Sequence, residues 1–191
     1  ENVPSFRRWR LYPFWRAALQ SMGYHVAELE ITASAYGVPQ RRTRMFVVAT
    51  RRRPFTWQPA EPTHEPAFGP CVEWSAGGWR GIDAAKPAAR ARIDAARRRH
   101  GRRCLVQHVT GHTGIPLSEP IRTITTRDQW AVIDGDRYRP LTVRENARGM
   151  GFPDSYQLPE GATRRDAIRG FGNAVCPPAV RPLVAAVMDA A

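Results

Sequence analysis

The chain has 191 residues, 42% hydrophobic and 24% charged, enough for one sizeable core or two small ones. Its formal net charge of +12 points to a polyanionic partner, but every basic residue except Lys86 is arginine, and an arginine-rich composition produces such an excess without nucleic acid. No run reaches the roughly 18 apolar residues of a membrane span, so a hydrophobic helix across a bilayer is excluded and a soluble, cytoplasmic chain is expected.

Glu1 stands where a start methionine would, and Glu1-Asn2-Val3-Pro4 runs straight into an amphipathic stretch, so residue 1 reads as a cut. Over residues 5–22, Phe6, Trp9, Phe14, Ala17, Ala18, Leu19 and Met22 recur mostly at helical spacing between Arg7, Arg8, Arg10 and Arg16. This predicts an amphipathic helix interrupted at Pro13. Gly23 closes it, His25 to Ile31 alternates as a strand does, and a loop through Gln40 leads to Met45–Ala49, a short apolar run typical of a buried strand. Helix, strand, loop, strand suggests the later part of an α/β sheet.

From Arg51 to Tyr138 the texture changes, with breaks at Pro54, Pro59, Pro62, Pro66 and Pro70 and tryptophans at Trp57, Trp74, Trp79 and Trp130. Asp83–Arg99 reads as a basic helix, and Leu105–Val109, Ile121–Thr126 and Trp130–Ile133 as short strands joined by polar loops. A separate small, irregular, β-rich domain is expected here. His100, Cys104, His108 and His112 recur at a regular spacing, but with Gly101 and Gly111 among them the segment reads as strand and loop, and no metal site is expected. Cys71, Cys104 and Cys176 are widely separated, as reduced thiols are.

Order returns near Leu141, where Thr142 and Glu145 make a capping box for a helix that should stop at Gly151-Phe152-Pro153. After a polar turn, Gly170-Phe171-Gly172-Asn173 predicts a tight loop, and Pro177-Pro178 opens a final helix through Val180, Leu183, Val184 and Val187.

Four segments carry a resemblance: Glu1-Asn2-Val3, Gln40-Arg41-Arg42-Thr43-Arg44, the long stretch from Arg139 to Tyr156, and Gly172-Asn173-Ala174-Val175. In this order, with an irregular region between the second and third, the chain resembles the carboxy-terminal portion of the DNA (cytosine-5-)methyltransferases. The resemblance implies the C-terminal part of a Rossmann-like methyltransferase sheet plus a small target-recognition domain. Residues 1–53 would belong to the catalytic domain, 54–138 to target recognition, and 139–191 would return to the catalytic domain.

Glu1, Arg42 and Arg44 are then the catalytic candidates, with Glu1 on ring N3 and Arg44 on O2, closing on the two edges of an extruded cytosine. Glu1 also reads as a frayed terminal carboxylate, and the arginines as a solvated loop; alternation with Gln40 before an apolar strand favours set positions. Arg41 reads as surface. Asn173 and Ala174 are expected beside S-adenosylmethionine, whose main site lies upstream. Thr125, Arg127 and Gln129 are candidates for contact with double-stranded DNA.

The family's Pro-Cys nucleophile and glycine-rich cofactor loop precede the first segment and have no match here, and Cys176 reads as a small apolar residue. The chain alone is therefore expected to be inactive without its N-terminal catalytic half, and to expose an apolar sheet face. The alternative is a non-catalytic DNA-binding or specificity subunit of a split or degenerate methyltransferase.

Overall fold

A computed structural model describes residues 1–61, 63–109 and 111–190; Pro62, among the predicted breaks, lies outside them. The amphipathic N-terminal stretch divides in two: a short 3-10 turn at Pro4–Arg8, then helix α1 at Tyr12–Ser21. The break falls at Trp9–Leu11 rather than at Pro13. Pro13 sits in the first turn of α1, where a missing N–H costs no hydrogen bond, so it starts the helix instead of interrupting it.

Strand β1 (His25–Thr32) pairs antiparallel with β3 (Thr43–Thr50) along its whole length, His25 opposite Thr50 and Thr32 opposite Thr43. Leu29, Ile31, Phe46 and Val48 carry this ribbon into the main core. Between them the short β2 (Gln40–Arg41) leaves the ribbon and pairs in parallel with β7 (Ile121–Arg122). One loop of the first segment is thereby stitched to the proline-rich region.

That region forms a five-stranded antiparallel sheet in the order β4 (Arg80–Gly81), β9 (Arg137–Pro140), β8 (Trp130–Asp134), β5 (Arg103–Gln107), β6 (Ile115–Pro116). The basic helix is α2, Pro87–His100. Alternation along β5 and β8 serves two cores: Cys104, Val106, Ala131 and Ile133 pack with Ile93 and Ala96 of α2, while Leu105, Trp130 and Val132 face the main core. Two-sided burial explains why β8 reads as a continuous apolar run.

The strand predicted over Ile121–Thr126 ends at Arg122. Beyond it, the N–H and C=O of Ile124 are taken by the side chains of Gln40 and Arg42 instead of a neighbouring strand.

Helix α3 (Val143–Gly149) has the expected capping box of Thr142 and Glu145. A polar turn does follow over residues 154–162, but the tight loop expected before the last helix is part of α4, Arg164–Asn173, which contains Gly170, Phe171, Gly172 and Asn173. Thr163 and Asp166 cap it reciprocally, so the loop reading is corrected: those glycines close a helix. Helix α5 spans Pro177–Ala190. The large exposed apolar side chains include Leu11 (52%), Phe14 (72%) in α1 and Met188 (73%) on α5, and none among the described residues lies on the β1–β3 ribbon, where an exposed apolar sheet face was expected. Among the described residues no single helix is long and apolar enough to cross a membrane.

Candidate active site

Asn2 exchanges two backbone hydrogen bonds with Met45, its N–H donating to the Met45 carbonyl at 2.9 Å and its carbonyl accepting from the Met45 N–H at 2.8 Å. This bridge sets Glu1 beside Arg44, one residue back on β3. The Arg44 guanidinium forms an ion pair with Glu1, Nε lying 2.9 Å from Oε1, and donates through Nη1 to the Thr43 carbonyl at 2.8 Å. Both side chains are largely covered, at 17% and 27% exposure, so the pair is oriented yet reachable. The two groups touch each other and do not stand across an empty cavity. The space beside Arg44, lined also by Ile31, Arg42, Phe46 and Cys176, is about 10 Å³, room for one water at most. A pyrimidine would meet the pair from its outer side.

Arg42 lies between β2 and β3, two residues before Arg44, and it is buried at 3% exposure with its guanidinium turned inward. It donates to the carbonyls of Ile124 (3.1 Å), Gly172 (3.0 Å) and Ala174 (2.9 Å). Burial, and next the charge of Arg44, lower its pKa. Gln40 is fully buried, accepting from the Ile124 N–H at 2.9 Å and donating to the Gly149 carbonyl at 2.9 Å. Arg41, between them, faces outward and pairs with Glu65 and Glu119.

Directly after Ile124 comes the loop with the three DNA-contact candidates, and they are together. The Thr125 hydroxyl accepts from the Arg127 N–H at 3.2 Å and lies 3.3 Å from both the Arg127 carbonyl and Gln129 Oε1, the local turn favoured by a threonine hydroxyl. Asp128, at the loop's tip, is paired with Arg164 of α4 at 2.7 Å. Arg127 is exposed. Asn173 is also exposed, at the C-terminal end of α4, while the carbonyl of the capping residue Ala174 is occupied by Arg42. One exposed carboxamide fits an edge contact to a cofactor, not a complete cradle.

A model of the C-5 cytosine-specific DNA methylase family matches residues 1–69 and 72–189. The chain belongs to that family. Among curated relatives, the type II methyltransferase M.NlaX of Neisseria lactamica is 27% identical, with 87% of this chain and 53% of that protein covered. The type II methyltransferase M.AplI of Arthrospira platensis is 31% identical, with 84% and 47% covered. The chain thus spans about half the length of the curated relatives it matches. Its fold is that of solved methyltransferases: EhMeth of Entamoeba histolytica aligns at TM-score 0.65 and 15% identity over 99% of this chain and 61% of that one. A putative DNA modification methyltransferase encoded within an E. coli prophage aligns at 0.64 and 16% over 98% and 67%.

All three cysteines of the chain are buried, and burial pushes each thiol up to about 11, the reverse of what a nucleophile needs. The sequence reading passed over two features of the site. Arg139 and Glu145 form an ion pair at 2.7 Å, exposed by 1% and 0%, that ties β9 to α3, and its only signal was two charged residues flanking a capping threonine. The other is the Asp128–Arg164 anchor, unreadable without α4.

Proposed function

We propose that residues 1–191 form the base-polarising and target-recognition part of an enzyme that transfers a methyl group from S-adenosylmethionine to carbon 5 of cytosine in double-stranded DNA. The observation that carries this reading is the Glu1–Arg44 pair, fixed at 2.9 Å on a strand whose preceding residues grip the chain just before Thr125. In this reading residues 54–138 form the target-recognition domain, residues 1–53 and 139–191 belong to the catalytic one, and the enzyme works in the cytoplasm.

Carbon 5 of cytosine is a poor nucleophile, and addition of a thiolate to carbon 6 activates it while placing negative charge on N3 and O2. Arg44 donates to O2, and Glu1 shares a proton with N3, so the charge meets fixed partners as it forms. To present both edges the cytosine leaves the duplex, and these contacts replace its lost pairing. S-adenosylmethionine would supply the electrophilic methyl group, and Asn173 would contribute one contact that holds it. The thiolate and the main cofactor cradle come from outside residues 1–191, in the same polypeptide or a separate subunit.

The test is methyl incorporation into duplex DNA by residues 1–191, alone and combined with a polypeptide carrying a Pro-Cys motif and a glycine-rich cofactor loop. Transfer is expected only from the combination, and Glu1→Gln or Arg44→Lys should lower kcat roughly a hundredfold. Transfer by residues 1–191 alone overturns the assignment of the thiolate. The buried cysteines also favour a second reading, a non-catalytic specificity subunit. Specific duplex binding without transfer in the combination would establish that one instead.

A further inference from the structure

We infer that Gln40 and Arg42 are positioning residues that hold the backbone of Ile124 between them and so make target reading and base polarisation mechanically interdependent. The inference rests on the function proposed above for Arg44 and the Thr125–Gln129 loop.

Ile124 is gripped on both sides by side chains from one short stretch. Its N–H donates to Gln40 Oε1 at 2.9 Å, and its carbonyl accepts from Arg42 Nη1 at 3.1 Å. Each gripping side chain is anchored elsewhere by its other end. Gln40 Nε2 reaches the Gly149 carbonyl at the end of α3, and Arg42 Nη2 reaches the carbonyls of Gly172 and Ala174 at the end of α4. Carbonyls at a helix C-terminus carry the negative end of the helix dipole, which suits a guanidinium buried without a carboxylate partner.

Packing alone does not call for this arrangement. Burying a cation is costly, and Arg42 Nε has no hydrogen-bond partner among the described residues. An apolar side chain of similar volume would fill the space at less cost. What the guanidinium does, and an apolar chain cannot, is fix three carbonyls from two separate segments to the strand that carries Arg44. There is no slack on the far side either, because the backbone of Thr125 and Thr126 lies against Gly172 so closely that a Cβ there would be 2.3 Å away. When DNA moves Thr125, Ile124 moves with it, and through Arg42 so does the backbone entering β3, two residues from Arg44.

Arg42→Lys keeps the charge, but one ammonium cannot span all three carbonyls. In the active combination, this variant should lose about tenfold in the ratio of kcat/KM between the target duplex and one changed at a single base, with duplex Kd changed by less than about threefold. Arg44→Lys should slow both duplexes equally and leave that ratio alone. A ratio unchanged in Arg42→Lys, with only stability or rate reduced, overturns the proposal.

Gln40→Met leaves Arg42 and its three carbonyls intact and should lower the ratio in the same direction, which covers the case in which Arg42→Lys does not fold. Amide hydrogen exchange on residues 1–191 alone reads the clamp without any activity. Either variant should speed exchange of the Ile124 to Gln129 amides about tenfold, and unchanged protection there overturns the clamp. A wild-type combination that transfers no methyl group counts against the proposed function, while the exchange measurement still decides the clamp.

Discussion

Single residues in this chain show how burial, not residue type, sets chemical behaviour. The three thiols are pushed up to about 11 by burial, so at pH 8 they are almost wholly protonated. Reaction of the native chain with a disulfide reagent at pH 8 should be slower than that of the denatured chain by a factor on the order of a hundred. One fast thiol in the native protein would mark a cysteine that the fold leaves accessible. His112 is the opposite case, a base held neutral. Its Nδ1 accepts from the N–H groups of Gln107 at 3.3 Å and Gly114 at 3.1 Å, and burial pushes its pKa down to about 4 from 6.5.

The direction of the resulting pH dependence follows from which state binds the proton. Unfolded chains protonate His112 as pH falls below 6.5 and the folded chain does not until about 4, so stability is fully present above that window and declines within it. Between pH 7 and pH 5 the loss amounts to about 2 kcal/mol from this residue. Urea unfolding at the two pH values should show that loss, and His112→Asn, which keeps an acceptor, should remove it. An equal loss in the variant would assign the pH dependence to other groups.

At the level of elements, α4 shows what periodicity misses and capping catches. Only Ala167, Ile168 and Phe171 of this helix carry its apolar contacts, too few among Arg164, Arg165, Asp166 and Arg169 to stand out as a stripe. Thr163 and Asp166, at the spacing of a capping box, were the readable signal. The two glycines near its end differ sharply. A Cβ on Gly170 would meet nothing within 4 Å, whereas one on Gly172 would lie 2.3 Å from backbone atoms of Thr125 and Thr126. Gly172→Ala should therefore destabilise by about 3 kcal/mol and Gly170→Ala should be neutral or stabilise by up to about 1 kcal/mol, read from denaturant midpoints. Similar effects at both positions would mean that the α4 contact with the recognition loop yields.

The same scale sets the limit of what the sequence discloses about the site. Alternation puts Arg42 and Arg44 on one strand face, and motif order marks both. It does not say that one guanidinium turns inward to carbonyls more than 80 residues away in the chain while the other meets Glu1. Two-residue strands such as β2, β4 and β6 are likewise too short to show a period, so the stitch from β2 to β7 appears only in three dimensions.

For the molecule as a whole, the question is whether the +12 charge or its placement governs binding to DNA. Many arginines are already neutralised, among them Arg7, Arg41, Arg97, Arg103 and Arg148, each within hydrogen-bonding distance of a carboxylate. Exposed arginines are spread widely, Arg8, Arg51, Arg52, Arg53 and Arg181 among them, and two groups of them lie at opposite ends of β8. Arg122 precedes and Arg127 lies within the Thr125–Gln129 loop that leads into Trp130, whereas Arg98, Arg99 and Arg102 lie near where Gly135 leaves the strand and donates to the Arg102 carbonyl. Five residues of extended chain separate these ends by roughly 16 Å, so a contact at the loop does not by itself engage the other cluster. If placement governs, Arg127→Gln should weaken binding to all duplexes alike and reduce the slope of log K against log salt by about 0.9, the share of one phosphate contact. Arg98→Gln with Arg99→Gln removes twice the charge and should leave the slope unchanged. Equal slopes lost per charge at both ends would show that the arginine excess acts as a diffuse cation, and the loop would lose its claim to the DNA interface.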